Sequence, residues 1–273
     1  MQDWHWQQKW GISYITIPEW ADMGALAAFS ARSGGISYMP FDSLNMGLHV
    51  GDNPHHVIEN RKRFMLATGG QLEQMVCCQQ VHGDRIKLIN HSHAGLGAKE
   101  MKTAIGDSDA MITNVPGIFL TTFYADCIPV YFFDPVKRVV ALAHSGWKGT
   151  MLRIAEKTLQ SMTEEYKCKP KDIRSFIGPG IGSCCFAIDG SLADKAIREF
   201  DSLSDIIRYN NGKQYWDLPA TIYQCLIKAG IENNHLNICP LCTCCNADYF
   251  YSFRRDKGNT GRMGAVITLL ERN

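Results

Sequence analysis

What most restricts the architecture of this chain is a succession of short, β-rich apolar runs with very little between them. Runs at 110–113, 118–124, 128–133 and 139–144 are built from β-branched, aromatic and small apolar residues. A parallel neighbour needs a crossover of about a dozen residues or more, and these connections are far shorter. Antiparallel pairing is therefore required, and a purely parallel doubly wound sheet is excluded. Further runs of the same kind lie at 74–81, 85–90, 175–177 and 265–270. Helix signals are fewer. Asn53-Pro54 offers a cap and a first helical position, Val57, Phe64 and Met65 carry the apolar face, and Gly69-Gly70 ends it. A second helix is expected to open near Thr150 and run through Leu152, Ala155, Leu159 and Met162. A third is expected where Ser191-Leu-Ala-Asp194 resembles a capping box, and a fourth over 218–229, closed by Gly230. The class that follows is α+β with mixed sheets.

Length and composition narrow the partners. A chain of 273 residues fits around one large core, and no repeat, low-complexity tract or linker marks a boundary, so a single domain over 1–273 is expected. Twenty-eight Lys+Arg against 27 Asp+Glu leave a formal charge of +1, which provides no global field for a nucleic-acid backbone or an anionic membrane. The first residues, Met1 to Trp10, lack a basic segment followed by an apolar one, and no run approaches the ~18 apolar residues of a spanning helix. A cytoplasmic protein, monomeric or homodimeric, is expected. Eleven cysteines, an odd number in a long chain, are expected to be mostly reduced thiols. The adjacent pairs Cys77-Cys78, Cys184-Cys185 and Cys244-Cys245 read as small buried hydrophobes, because neighbouring side chains on a strand diverge and rarely clamp one tetrahedral ion.

Three polar residues stand at the ends of strand-like runs, where a rigid scaffold presents reactive groups. His82 precedes Gly83, Cys127 follows Asp126 between two apolar runs, and His144 closes the run ahead of Ser145-Gly-Trp-Lys-Gly149. Two imidazoles and a thiolate suit zinc and leave a fourth position for water or substrate. Their separations show no short-range pairing, so spacing by itself is a weak signal. A competing cluster, Cys239-Pro-Leu-Cys242-Thr-Cys244-Cys245, begins with the C-x-x-C spacing of a zinc knuckle or redox pair but has no matching pair nearby in sequence. Arg254, Arg255 and Arg262 bring three guanidinium groups to a glycine-containing segment suited to phosphate or carboxylate. Lys148, just ahead of the helix expected at Thr150, adds a cation where backbone N–H groups favour anions. Gly178-Pro-Gly-Ile-Gly182 matches neither usual phosphate-loop pattern and reads as a turn.

Taken in order, Arg32-Ser-Gly-Gly-Ile-Ser37, Ser43-Leu-Asn45-Met-Gly47 with Gly51-Asp52, Gln80-Val-His82-Gly83, Asp109-Ala-Met-Ile-Thr113, Ala125-Asp-Cys127-Ile-Pro129-Val130, Ala143-His-Ser-Gly-Trp-Lys-Gly149, Ile177-Gly-Pro-Gly-Ile-Gly182 and Phe250-Tyr-Ser-Phe-Arg-Arg255 with Thr260-Gly-Arg262 cover nearly the whole chain. This series resembles the YfiH, or laccase-domain, family, described both as multicopper polyphenol oxidoreductases and as purine nucleoside phosphorylases. The resemblance implies that His82, Cys127 and His144 are metal ligands, for zinc or alternatively copper. It also implies phosphorolysis of adenosine, inosine and methylthioadenosine to the base and the (methylthio)ribose 1-phosphate, together with adenosine deamination. Ser145 and Lys148 depart from the family's usual alanine and arginine, and the extra cysteines are unusual. The implied fold has two sheets packed centrally with helices outside, an α-β-β-α arrangement akin to cysteine hydrolases of the cytotoxic necrotising factor type.

Within that reading, zinc lowers the pKa of a water toward neutrality for attack at C6 of adenine, and Asp126 is either a proton shuttle or a structural hydrogen-bonding residue. Arg254, Arg255, Arg262 and Lys148 are candidates to hold phosphate. Ser43 and Asn45 either contact ribose hydroxyls or the purine edge, or satisfy the backbone of their own turn. Three rivals stand beside it. One is a cysteine hydrolase with Cys127 as nucleophile and His144 as base, acting on amides such as those of cell-wall precursors. A second is a copper-dependent polyphenol oxidase, which the modest histidine count disfavours. The third is a non-catalytic nucleoside- or metal-binding module.

Overall fold

The structure, a computed structural model, describes residues 4–271. The ends of the expected 1–273 domain, and the first three residues of the segment read for a leader, lie outside these. In chain order the elements are β1 (His5–Lys9), β2 (Ile12–Thr16), α1 (Pro18–Asp22), β3 (Ala25–Ser30), α2 (Pro54–Ala67), β4 (Met75–Cys77), β5 (Ile86–Leu88), β6 (Ala110–Thr113), β7 (Phe119–Tyr124), β8 (Ile128–Asp134), β9 (Val139–Ser145), α3 (Trp147–Met151), α4 (Ile154–Tyr166), β10 (Arg174–Ile177), β11 (Ala187–Ile188), α5 (Gly190–Glu199), β12 (Ile207–Asn210), β13 (Lys213–Trp216), α6 (Leu218–Lys228), β14 (Leu236–Ile238) and β15 (Met263–Leu269).

Two six-stranded sheets form the body, ordered β1-β2-β3-β15-β7-β4 and β14-β10-β8-β9-β6-β5, with a small sheet β11-β13-β12 beside them. Both large sheets are mixed. β8 and β9 pair antiparallel across a tight connection, β15 pairs antiparallel with the sequence-distant β3 and β7, and β4–β7, β5–β6 and β10–β14 are parallel. The strands alternate between two burial environments. Along β9, Val140 and Leu142 face the other sheet, where they meet Phe29, Leu120 and Ile267. Val139, Ala141 and Ala143 face the opposite way, into a core shared with Leu159 of α4 and Ile222 of α6. On the far side, Phe64 and Met65 of α2 cover Tyr14, Ala28, Phe123 and Val266 of the first sheet. The layers are therefore α-β-β-α, and the α+β class expected from the short connections holds.

This layering explains why the central runs read as continuous hydrophobic stretches although they are antiparallel. A strand sandwiched between a sheet and a helix layer has no solvent face, so both sets of alternating side chains are apolar.

Several element boundaries differ from the sequence expectation. The helix expected near Thr150 is two helices, because Arg153 adopts φ 58° and redirects the chain between α3 and α4. α3 opens at Trp147 with Gly146 as its cap, so Lys148 lies inside its first turn rather than ahead of it. The third helix is capped by Asp189, whose carboxylate accepts the Leu192 N–H, and not by Ser191. The strands β1, β2, β3, β11, β12, β13 and β14 were outside the sequence reading; β1, exposed along its whole length, has no apolar periodicity to reveal it.

Leu142 is fully buried between the two sheets. Leu142→Ala is expected to lower the unfolding free energy by about 2–5 kcal/mol, the range for truncating a buried leucine that leaves a cavity. Urea denaturation followed by tryptophan fluorescence measures it, and a change below about 1 kcal/mol would contradict the tight inter-sheet packing.

Candidate active site

His82, Cys127 and His144 converge, their ligating atoms all lying within 4.8 Å of one another. Strand register explains how. β6 and β9 pair so that Ala110 faces Ala143, which sets Asp109, one residue earlier, beside His144. β8 and β9 pair Ile128 with Ser145, which sets Cys127 opposite Gly146. A β-carbon added at Gly146 would approach Cys127 Sγ to 2.6 Å and His82 Cδ2 to 3.4 Å, so only glycine leaves the space between the donors open.

His82 comes from the loop after β4 and is fixed by backbone rather than by strand pairing. Its φ of 60° turns three successive N–H groups toward one carboxylate. Val81, His82 and Gly83 donate to Asp109 at 3.2, 3.0 and 2.7 Å. Ahead of it, Gln80 exchanges a pair of hydrogen bonds with the backbone of Phe123 on β7. Asp109 also accepts a hydrogen bond from His144 Nδ1 at 2.8 Å. That bond fixes the tautomer and leaves Nε2 as the imidazole's free donor atom, the arrangement in which a carboxylate orients a metal-ligating histidine. Burial opposes the charge on Asp109, yet the hydrogen bond and charge of His144 and the N–H groups of Gly83 and His82 hold its pKa below the ordinary value.

The electrostatics of the cluster are those of a coupled pair. Burial raises the Cys127 thiol, but the charge of His144 and hydrogen bonds from His144 and His82 outweigh it and bring the pKa down to about 6. Burial likewise depresses His144, and Cys127 and Asp109 together reverse this, raising it to about 9. Nitrogen, nitrogen and sulfur, with exposure rising from buried His144 through Cys127 to exposed His82, form a donor set that fits a borderline-soft divalent ion with an open coordination position.

The cluster opens into a cavity of about 680 Å³, a size typical of small-ligand sites. Phe123, Ile181, Phe186 and Leu218 supply apolar wall, and Trp147 and Phe253 stand half-exposed at 38% and 53%. Arg254 and Arg262 line it as well, and neither makes an ion pair among the described residues. Arg262 is partly buried, and this lowers its pKa, while Asp126 and Cys127 partly compensate. It packs over Phe253 with 5.8 Å from guanidinium to ring. Arg254 lies over Phe186 at 5.2 Å and donates to the carbonyls of Cys185 and Ala187.

Comparison with known proteins gives this geometry a family. Residues 26–270 match the family described as multi-copper polyphenol oxidoreductase laccase. The chain belongs to that family. It is 35% identical to the purine nucleoside phosphorylase YlmD of Bacillus subtilis over 95% of each chain. It is also 35% identical to the purine nucleoside phosphorylase YfiH of Escherichia coli, over 95% of this chain and 100% of the other. The crystal structure of YlmD from Geobacillus stearothermophilus superposes with a TM-score of 0.92 at 38% identity, covering 97% of this chain and 99% of that one.

Not every residue singled out in the sequence reaches the cavity of this laccase-family fold. Ser43 accepts the Gly35 N–H and lies on the wall of a separate depression with Arg32 and Asp42. Asn45 is fully buried, accepting from the N–H groups of Gly47 and Arg262 and donating to Asp52. Of their two readings, backbone satisfaction is the one these bonds fulfil. Arg255 pairs with Asp256 and donates to the carbonyls of Thr243, Cys244 and Phe250, which turns it away from the cavity wall. Lys148 is exposed beside Trp147, 5.6 Å from its ring. Asp126 borders the cavity, but its carboxylate accepts three hydrogen bonds, from Thr243 Oγ1, Ser252 Oγ and the Arg254 N–H. Sequence reasoning missed two residues of the site, Asp109 behind the cluster and His49 on the cavity wall. Asp109 was visible only as the start of an apolar strand motif. His49, whose pKa falls to about 4 through burial and then through Arg262 and Arg61, carries no local pattern that separates it from other histidines.

In metal-free protein the Cys127–His144 pair is expected to keep Cys127 alkylatable by iodoacetamide from about pH 7 upward, with the rate falling as pH drops through about 6. His144→Ala is expected to move this inflection up toward the ordinary thiol range. Peptide mass mapping of Cys127 across pH measures both, and an inflection that ignores His144 would contradict the pair.

Proposed function

We propose that the chain is a zinc-dependent purine nucleoside phosphorylase working as a single domain in the cytoplasm, with His82, Cys127 and His144 as metal ligands. The observation that carries the reading is the convergence of a three-donor set on a nucleoside-sized cavity that also receives two guanidinium groups without an ion pair among the described residues. When bound, zinc supplies Lewis-acid polarisation at the position the three donors leave open. Copper, which the family's description invokes, fits the thiolate and imidazoles as donors, but two histidines fall well short of a multicopper centre.

Within this proposal the protein's own groups divide the work. Arg254 and Arg262 hold inorganic phosphate so that its oxygen reaches the anomeric carbon as the glycosidic bond breaks. The bonding pair leaves with the purine, which then takes up a proton. Phe253 and Trp147 offer faces on which the purine stacks, and Phe123 and Leu218 exclude water behind it. His49, held neutral by burial and cationic neighbours, offers a hydrogen bond to ribose or base without bringing a charge that competes for phosphate. Asp126 acts as a positioning residue, since its three donors tie the segment carrying Arg254 to the segment carrying Cys127. Adenosine, inosine and methylthioadenosine are the proposed substrates. Adenosine deamination, in which the oxygen of water bonds to C6 and the amino group leaves as ammonia with one of the water's protons while the other stays on the purine ring, is proposed for the same cavity.

Mass-spectrometric analysis of products from zinc-loaded protein and adenosine tests this. Adenine and ribose 1-phosphate are expected only when phosphate is present, and inosine is expected without it; His144→Ala is expected to abolish both. Unchanged adenosine in every reaction would overturn the assignment. Asp109→Asn is expected to weaken zinc binding about 10–100-fold, the usual consequence of removing a carboxylate that orients a ligating histidine. Competition against a chromophoric chelator measures it, and unaltered affinity would remove Asp109 from the metal centre.

A further inference from the structure

Beside the segments that carry Ile181, Phe186 and Arg254 of the cavity wall lies a second cluster, built from cysteines far apart in the sequence, with Cys184 and Cys245 exposed and Cys242 buried. Cys184, Cys185, Cys242 and Cys245 place their four sulfurs within 4.8 Å of one another. Cys245 Sγ lies 3.4 Å from Cys184 Sγ and 3.3 Å from Cys185 Sγ. The expectation that adjacent cysteines diverge assumed a strand, but residues 183–185 form a turn, and a turn lets Cys184 and Cys185 point to one centre. The C-x-x-C pair is also not the one first read. Cys239 is buried in the inter-sheet core, and Cys242 and Cys245 form the pair instead, with Cys184-Cys185 as the matching half contributed from a distant loop.

We propose that these four thiols form a second metal site, structural rather than catalytic, for a thiophilic divalent ion such as zinc. Zn–S bonds of about 2.3 Å in a tetrahedron put sulfurs about 3.8 Å apart, between the 3.3–3.4 Å of the Cys245 pairs and the 4.8 Å that bounds the cluster, so small side-chain adjustments seat the ion. Binding converts thiols to thiolates and releases their protons to solvent. A disulfide would use two sulfurs and leave Cys245's second close neighbour unexplained. One backbone donor is already aimed at the cluster, because the Gly182 N–H donates to Cys242 Sγ at 3.3 Å. Gly182 also sits where a β-carbon would come to 3.4 Å from Cys184 Sγ.

The site's purpose follows from what it joins. One loop carries Ile181 and Phe186, the other continues to Arg254, and all three line the main cavity. Besides the sulfurs, an isolated bridge between Gly180 and Cys242, the Arg254 bonds to Cys185 and Ala187, and the Arg254 guanidinium over Phe186 join the loops. An ion held by all four sulfurs would lock this wall in place. The inference does not rest on the proposed phosphorylase activity.

Metal analysis of the full chain, purified under reductant and loaded with zinc, tests it by mass spectrometry of the native protein. Two zinc ions per chain are expected. Cys245→Ser and Cys184→Ser are each expected to bind one, and His144→Ala, which spares the cluster, is expected to retain the cysteine-bound ion. Cobalt loading of the His144→Ala protein is expected to show sulfur-to-metal charge-transfer absorption that Cys245→Ser in the same background removes. A wild-type stoichiometry of one that Cys245→Ser leaves unchanged would overturn the proposal. So would a disulfide between any two of Cys184, Cys185, Cys242 and Cys245 found by peptide mass mapping of protein purified without reductant and then chelated, since that bond uses sulfurs the ion needs.

Discussion

A carboxylate with no access to solvent organises the candidate site, because Asp109 binds in one place the strand that carries His144 and the loop that carries His82. Its backbone carbonyl receives the His144 N–H and its side chain receives His144 Nδ1, so both the height and the rotation of that imidazole are set by one neighbour. The same carboxylate gathers three N–H groups of the His82 loop, which has no strand partner of its own at that point. Four charge-assisted hydrogen bonds compensate the burial of this anion. A neutral residue there would leave the loop's donors without an acceptor.

The layers explain why that carboxylate can be so rigid. β6, β8 and β9 are buried on both faces, against the other sheet on one side and against α4 and α6 on the other. Reactive groups are placed at the ends of these strands, where the packed register still fixes them but the side chains emerge at a cavity. Gly146 extends the same logic by giving up a side chain so that Cys127, His82 and His144 can face one another.

Much of this was legible in the sequence, for reasons that also mark where legibility stops. The short connections between apolar runs required antiparallel pairs, and β8 and β9 supplied them. His82, Cys127 and His144 stood out because polar residues at the ends of buried runs are uncommon, and the laccase-family motifs gathered them into one set. Asp109 did not stand out, since its role depends on which strand lies beside β6, a long-range fact with no local signature. Ser43, Asn45 and Arg255 had the right chemistry for substrate contact but are occupied by backbone groups, which becomes visible only when their neighbours are in place. Cys239-x-x-Cys242 misled because spacing does not reveal that Cys239 points into the core while the turn after it carries Cys242 and Cys245 to another loop. The edge strand β1 was silent because it carries no alternating apolar face, only the single Trp6 that packs on Tyr249 and Phe250.

The donors His82 and His144 belong to different sheets. His82 follows β4, an edge strand of the first sheet, while His144 lies within β9 of the second, and Cys127 sits on the short passage between β7 and β8 where the chain crosses from one to the other. No part of the nascent chain therefore owns a preformed claw. The three donors can meet only after the sandwich has closed to its final spacing, so under the proposed assignment an ion would be held by all three only once the two halves have docked in register.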